Sequence, residues 1–135
     1  MNSDVNQASM KVDIILSDGF VMTELSGVVD VLRLANRVVD KKMFTFRYVS
    51  PEAGIVKSSA DTWLNASALS NNPDADIAVF LGNSDLNFTS REIEKAVHKY
   101  RYTNAKVVLL AEAAAIYISA NSDDGFGHTT HWENR

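Results

Sequence analysis

Six residues stand where side chains or backbone amides could bind a ligand or do chemistry in this 135-residue chain: Glu24, Gly82, Asn83, Ala111, Glu112 and His131. Glu24 follows closely on the apolar run Lys11 to Ser17 (KVDIILS) and stands at the start of a helix-patterned segment. A carboxylate there can act as acid or base, or hold a ligand by hydrogen bonds. It can equally be an acidic residue favoured by the dipole of the helix's first turn. Gly82-Asn83 closes another apolar run, Asp76 to Leu81 (DIAVFL). Glycine there lets backbone approach a ligand and aim an amide at it, although a plain strand-ending turn accounts for the same residues. Ala111 and Glu112 directly follow Lys106 to Leu110 (KVVLL) and precede Ala113 to Ala120, whose composition suits a helix. A sharp strand-to-helix turn is where hydrolases of several kinds place a nucleophilic Ser or Cys. Alanine cannot attack, abstract a proton or ligate a metal, so only the turn's backbone amides remain for a carbonyl or anion. Glu112 would oppose an anion or cap the helix. His131, in Thr129-Thr130-His131-Trp132 after the Gly125-Phe126-Gly127 turn, suits a general base, or a hydrogen-bonding role where no nucleophile accompanies it.

Other chemistry is excluded by composition. The chain has no cysteine, which removes disulfides, thiolate metal sites and a Cys nucleophile together. Its three histidines are scattered without ligand spacing: His98 falls among helical surface charges and His128 in a loop, so no metal site and no cofactor is expected. With a formal charge of −4 and no stripe of Lys or Arg, these residues are poorly suited to bind nucleic acid directly. No stretch approaches the ~20 apolar residues of a membrane span, and no signal-peptide pattern opens the sequence, so the cytoplasm is the default compartment. Trp63, Phe126 and Trp132 could line an apolar pocket or serve in core packing.

The elements that must position these residues alternate between strand and helix. Met1 to Met10 is polar and aperiodic and reads as a disordered leader. Strands are expected at Lys11 to Ser17, Thr45 to Ser50, Asp76 to Leu81 and Lys106 to Leu110, the last covered on both faces as in a buried parallel sheet. Short extended pieces are expected at Ile55 to Ser58 and Trp63-Leu64, and a short helical turn within Ser67 to Asp74. Glu24 to Val39 has apolar residues at helical spacing. A second helix to about Tyr102 opens on a capping box, Thr89-Ser90-Arg91-Glu92. Strands alternating with helices through short loops imply an α/β fold: a doubly wound, mostly parallel sheet with helices on both faces. In such sheets ligands bind at the carboxyl ends of the strands, where Glu24, Gly82-Asn83 and the Ala111 turn would gather.

Three segments of the chain resemble the ThiJ/PfpI superfamily, within the class I glutamine-amidotransferase-like (flavodoxin-like) fold, in the form found at the N-terminus of AraC/XylS-type transcriptional regulators. Phe20 to Arg37 (FVMTELSGVVDVLRLANR) is similar to the family's opening helix, Leu-x-Gly-x-x-(Asp/Glu)-Val-Leu-Arg-x-Ala-Asn. Tyr48 to Ser59 (YVSPEAGIVKSS) resembles its strand, turn and Val-x-Ser-Ser hairpin. Lys106 to Trp132 resembles the elbow, which in the family reads Cys-Thr-Gly-Ala-Phe-x-Leu-Ala, then Asp-Gly, then Thr-Thr-His-Trp. Counting back without a gap from Thr129-Thr130-His131-Trp132 puts Asp124-Gly125 on the Asp-Gly, Ala111 on the cysteine, Glu112 on the threonine and Ala113 on the glycine. The resemblance further puts Glu24 on the acid that partners the cysteine, His131 on its neighbouring histidine, and Gly82-Asn83 on a Gly-Gly that supplies an oxyanion amide.

With Ala111 at the cysteine position, the proteolytic, glyoxalase or deglycase activities of catalytic relatives are not expected. The resemblance implies instead a ligand-sensing and dimerisation domain, residues 11–135, incomplete at its C-terminus. Its partners would be a small-molecule effector, such as a nitrogenous or carbonyl compound held between Glu24, Gly82, Asn83, Ala111, Glu112 and His131, and a second copy in a homodimer. DNA would be reached only through a helix-turn-helix domain absent from this sequence. The alternatives are a ThiJ/PfpI-type enzyme using Glu24 and His131 without a thiol, or a stand-alone pseudoenzyme. A phospho-acceptor receiver domain shares the fold class, but Asp13 and Asp18 are not adjacent and Leu81-Gly82 replaces the aspartate expected after the third strand.

Overall fold

The fold is built on β1 (Met10–Ile15), whose alternating residues face two different cores. The structure is a computed structural model that describes residues 9–38, 43–83 and 90–110. After β1 come α1 (Met22–Val38), β2 (Phe44–Ser50), β3 (Gly54–Lys57), β4 (Trp63–Ala68), β5 (Ile77–Phe80), α2 (Ser90–Tyr102) and β6 (Lys106–Leu109). The described strands form one six-stranded sheet in the order β3-β4-β2-β1-β5-β6. All neighbours are parallel except β3, which pairs antiparallel with β4.

Side chains alternate across a strand, and the two cores follow that period. Val12, Ile14 and Leu16 join Phe46, Tyr48, Val79 and Leu81 under Leu25, Val28, Val29 and Leu32 of α1. Ile15, Val49, Ala78 and Phe80 pack on the opposite face under Ile93, Ala96, Val97 and Tyr100 of α2. A doubly wound sheet with helices on both faces is thus the observed architecture. None of the described helices is long and apolar enough to cross a membrane.

Helix ends agree with local chemistry. Glu24 lies in the first turn of α1 and Arg37 in its last, complementing the helix dipole. The Asn36 side chain clamps the end of α1 to β2: its Nδ2 donates to the Phe44 carbonyl at 3.0 Å and its Oδ1 accepts from the Phe44 amide at 2.8 Å. Past α2, Asn104 takes the left-handed conformation (φ 67°), as residues beyond a helix C-terminus often do.

Several boundaries and one element differ from expectation. Met10 belongs to β1 rather than to the leader, because its amide donates to the Met43 carbonyl at 2.9 Å. The helical turn expected within Ser67 to Asp74 is absent: Ser67 and Ala68 extend β4, paired with Val49 and Ser50 of β2. Trp63 is 67% exposed and so lies outside the core. Among the described residues β6 is covered on one face: Val107 and Leu109 pack on the α2-side core, whereas Lys106 and Val108 are exposed. The helix expected over Ala113 to Ala120, the Thr129-Thr130-His131-Trp132 strand and Thr89 of the capping box lie outside the described residues.

Candidate functional site

β1 enters the loop 17–21 at the point where the strand order reverses, from one side of β1 to the other. β2 lies on one side of β1 and β5 on the other, so the carboxyl ends of β1 and β5 flank the crevice in which doubly wound folds bind ligands. Gly19, at φ 90°, makes the bend. Phe20, buried beyond it, bridges to Ser58 on one side and to Asn83 on the other. The Gly19 amide donates to the Lys57 carbonyl at 2.7 Å, and the Lys57 amide to Asp18 Oδ1 at 3.0 Å. One loop therefore joins the β3–β4 hairpin to the end of β5.

Two of the expected site residues meet directly in that crevice. Glu24 Oε1 accepts a hydrogen bond from the Gly82 amide at 2.7 Å. The Gly82 carbonyl accepts from the Val21 amide at 3.2 Å, so both backbone groups of Gly82 are engaged by the entry to α1. Glu24 is half-buried, and its carboxylate is held against the turn rather than packed away. Asn83, only 4% exposed, donates through Nδ2 to Ser17 Oγ at 2.7 Å and to the Asp18 carbonyl. Its side chain cross-links the ends of β1 and β5 and does not face a ligand through those hydrogens. Leu110, whose amide donates to the Phe80 carbonyl at 3.0 Å, carries the chain along the same edge. Ala111, Glu112 and His131 lie outside the described residues.

A groove of about 490 Å³ reaches this edge at Ser17 and Asp18, the partners of Asn83, and its described lining includes Glu52 and Glu92 but neither Glu24 nor Gly82. Asp18, Glu52 and Glu92 give it three carboxyl groups, and no Lys or Arg lines it among the described residues. Such a groove suits a ligand with amine or amide donors better than an anion. Among the described residues no group of His, Asp and Glu is placed to hold a metal.

A second polar cluster sits within the sheet, away from the carboxyl edge, and sequence reasoning missed it. Asp13, 2% exposed, points into the α2-side core, where Arg47 Nε donates to its Oδ1 at 2.8 Å and the Tyr100 hydroxyl to its Oδ2 at 2.7 Å. Asp74 meets Arg47 Nη2 at 3.4 Å and Lys11 Nζ at 3.1 Å. Burial and then the hydrogen bond to Asp13 push the Tyr100 hydroxyl far above its ordinary range. The hydrogen bond to Asp13 raises the Arg47 guanidinium against the opposing effect of desolvation, and the hydrogen bond from Lys11 lowers Asp74. Every buried side-chain polar atom among the described residues has a partner. The signal available in the sequence was an acid inside the apolar run KVDIILS: a buried charge demands a partner.

This fold recurs in solved proteins. A structure of an AraC family transcriptional regulator from Pseudomonas putida superposes with a TM-score of 0.79 at 25% identity, covering 93% of this chain and 69% of that one. A ThiJ/PfpI domain protein from Brachyspira murdochii gives a TM-score of 0.63 at 11% identity, over 94% of this chain and 73% of that one. This chain has the fold of ThiJ/PfpI domain proteins. A DJ-1 superfamily protein from Salmonella typhimurium shares the domain's fold at a TM-score of 0.68 and 22% identity, over 84% of this chain. The match spans 61% of that protein. No protein-family model and no curated protein matches the sequence.

Proposed function

We propose that this ThiJ/PfpI-like domain is the non-catalytic, ligand-sensing and dimerising part of an AraC-type transcriptional regulator that acts in the cytoplasm. The observation that carries the proposal is the engagement of Glu24 by Gly82 in a chain that has no cysteine. In the resemblance, the acid serves a thiol and the glycine amide serves an oxyanion. Here the acid and the amide serve each other, with Ala111 at the thiol's position. A pair so arranged can exchange its mutual hydrogen bond for bonds to a small polar molecule without any covalent step. The neighbouring carboxyl-lined groove favours a nitrogenous effector that donates hydrogen bonds. Likeness to the Pseudomonas putida regulator supports the regulatory setting. Effector binding would act by favouring one of two dimer arrangements, which requires different affinities for the two, and DNA would be contacted by a separate helix-turn-helix domain.

A thermal-shift screen of nitrogenous and carbonyl metabolites on the intact chain tests the reading. A true effector at about a hundred times its dissociation constant stabilises the fold by about 2.7 kcal/mol. Glu24→Ala should abolish that shift while leaving a folded protein. Hydrolase or glyoxalase turnover by the wild type that Glu24→Gln abolishes would overturn the proposal in favour of an enzyme.

A further inference from the structure

α1 presents a second apolar stripe in addition to the one it buries. Gly27, Val31, Leu34 and Val38 follow the alternating four- and three-residue spacing of a helix–helix seam. Val31, Leu34 and Val38 are 66%, 56% and 75% exposed. Gly27 sharpens the point. A Cβ built there would meet nothing within 4 Å, so no neighbour in the described chain requires a glycine. A glycine inside a helix destabilises it by roughly 0.5–1 kcal/mol relative to alanine, and its use is to let another backbone come close.

The stripe is complementary to itself. If a two-fold axis crosses α1 between Val31 and Leu34, Val31 of one copy meets Leu34 of the other, and Gly27 receives Val38. Along one flank of the seam lie Asp30 and Arg37, one heptad apart and opposite in charge. Both are exposed, and neither forms an ion pair among the described residues. In the antiparallel arrangement Asp30 comes opposite Arg37 of the second copy, and Arg37 opposite its Asp30. A single helix face with apolar knobs, a glycine recess and a charge pattern that inverts on itself is what an isologous interface requires. We infer that α1 pairs antiparallel with α1 of a second copy of this chain through the Gly27–Val31–Leu34–Val38 stripe. This names the surface of the dimer proposed above and rests on that reading.

Sedimentation of the intact chain over a range of concentrations tests it, with circular dichroism confirming that each variant is folded. The expected result is reversible dimerisation, since one helix pair buries less than a standard interface of ~800 Å² per partner. Leu34→Glu should weaken the dimer at least ~10-fold. Asp30→Arg alone should weaken it through two Arg–Arg juxtapositions, and Asp30→Arg combined with Arg37→Asp should restore it to within about threefold. A merely structural role of these residues would make the double variant worse, not better. A dimer indifferent to Leu34→Glu, or a double reversal without rescue, would overturn this surface and leave the dimer standing. A monomer at every concentration would overturn both, and would assign the stripe to another segment or another protein.

Discussion

Replacing Tyr100 with phenylalanine removes one hydroxyl from a ring that is otherwise unchanged, and the cost can be worked out from its surroundings. The ring is fully buried and meets Phe80 edge-on, at 6.0 Å between centroids and 89° between planes, contacts that phenylalanine keeps. What disappears is the donor to Asp13 Oδ2 at 2.7 Å. Hydrogen bonds to a charged group contribute about 1.5–3 kcal/mol. Asp13 keeps Arg47 at 2.8 Å, so the middle of that range, ~2 kcal/mol, is expected at pH 7. For a domain of this size that loss lowers the melting temperature by roughly 7 °C. The pH dependence is a sharper test. An unfolded tyrosine loses its proton near pH 10, while burial and Asp13 keep the folded hydroxyl protonated well above that. The hydroxyl's contribution is therefore fully present below about pH 10 and shrinks as pH rises, by up to about 1.4 kcal/mol per pH unit. Urea unfolding of both proteins between pH 7 and 11 should show the wild type's advantage narrowing only above pH 10, with unchanged slopes against urea. An equal stability at pH 7, or a gap that stays constant through pH 11, would refute the reasoning.

Substitutions at two further positions separate other parts of the structure. Asn83→Ala should destabilise the domain by about 1–3 kcal/mol in urea, because the half-buried Ser17 hydroxyl and the Asp18 carbonyl lose their common donor. Asn83→Asp, although isosteric, should be worse, since it places an acceptor against that carbonyl. Gly54→Ala should cost about 1–2 kcal/mol in a thermal melt although the space is open, because Gly54 stands at φ 131°, where a side chain strains the backbone; a neutral result would show that the turn relaxes freely.

Much of this architecture was legible because strand and helix periods are local. The runs around Val12 to Leu16, Ile77 to Leu81 and Lys106 to Leu109 announce strands, and Leu25 to Leu32 announces the helix that covers them. The meeting of Glu24 with Gly82 was legible only as shared residence on one sheet edge; that the amide donates to the carboxylate is a fact of packing. The extension of β4 to Ala68 was not legible, since Ser67 and Ala68 are polar or small and become strand only through pairing with Val49 and Ser50. The Asp13–Arg47–Tyr100 cluster was hidden for the same reason: its members come from β1, β2 and α2, and only the odd charge in a buried run hinted at it. Trp63 misleads because a large aromatic normally seeks the core, whereas the hairpin at the sheet edge turns it outward.

The central place of β1 has a consequence for how the chain comes to be folded. β1 is the first of the described strands to be synthesised and sits between β2 and β5, whose partners for Val12 are Phe46 and Ile77. Its core face toward α1 can close early, once β2 has appeared. Its second edge must wait for β5, and Asp13, which meets Arg47 as soon as β2 has appeared, must wait for Tyr100 to complete its hydrogen bonds, so a growing chain carries an unpaired apolar edge through much of its elongation. Loop closure over such distances is slow, and exposed strand edges invite wrong pairing in the interval. A ribosome-bound chain ending before α2 should therefore be the form most dependent on chaperones, and Tyr100 should mark the point at which that dependence ends.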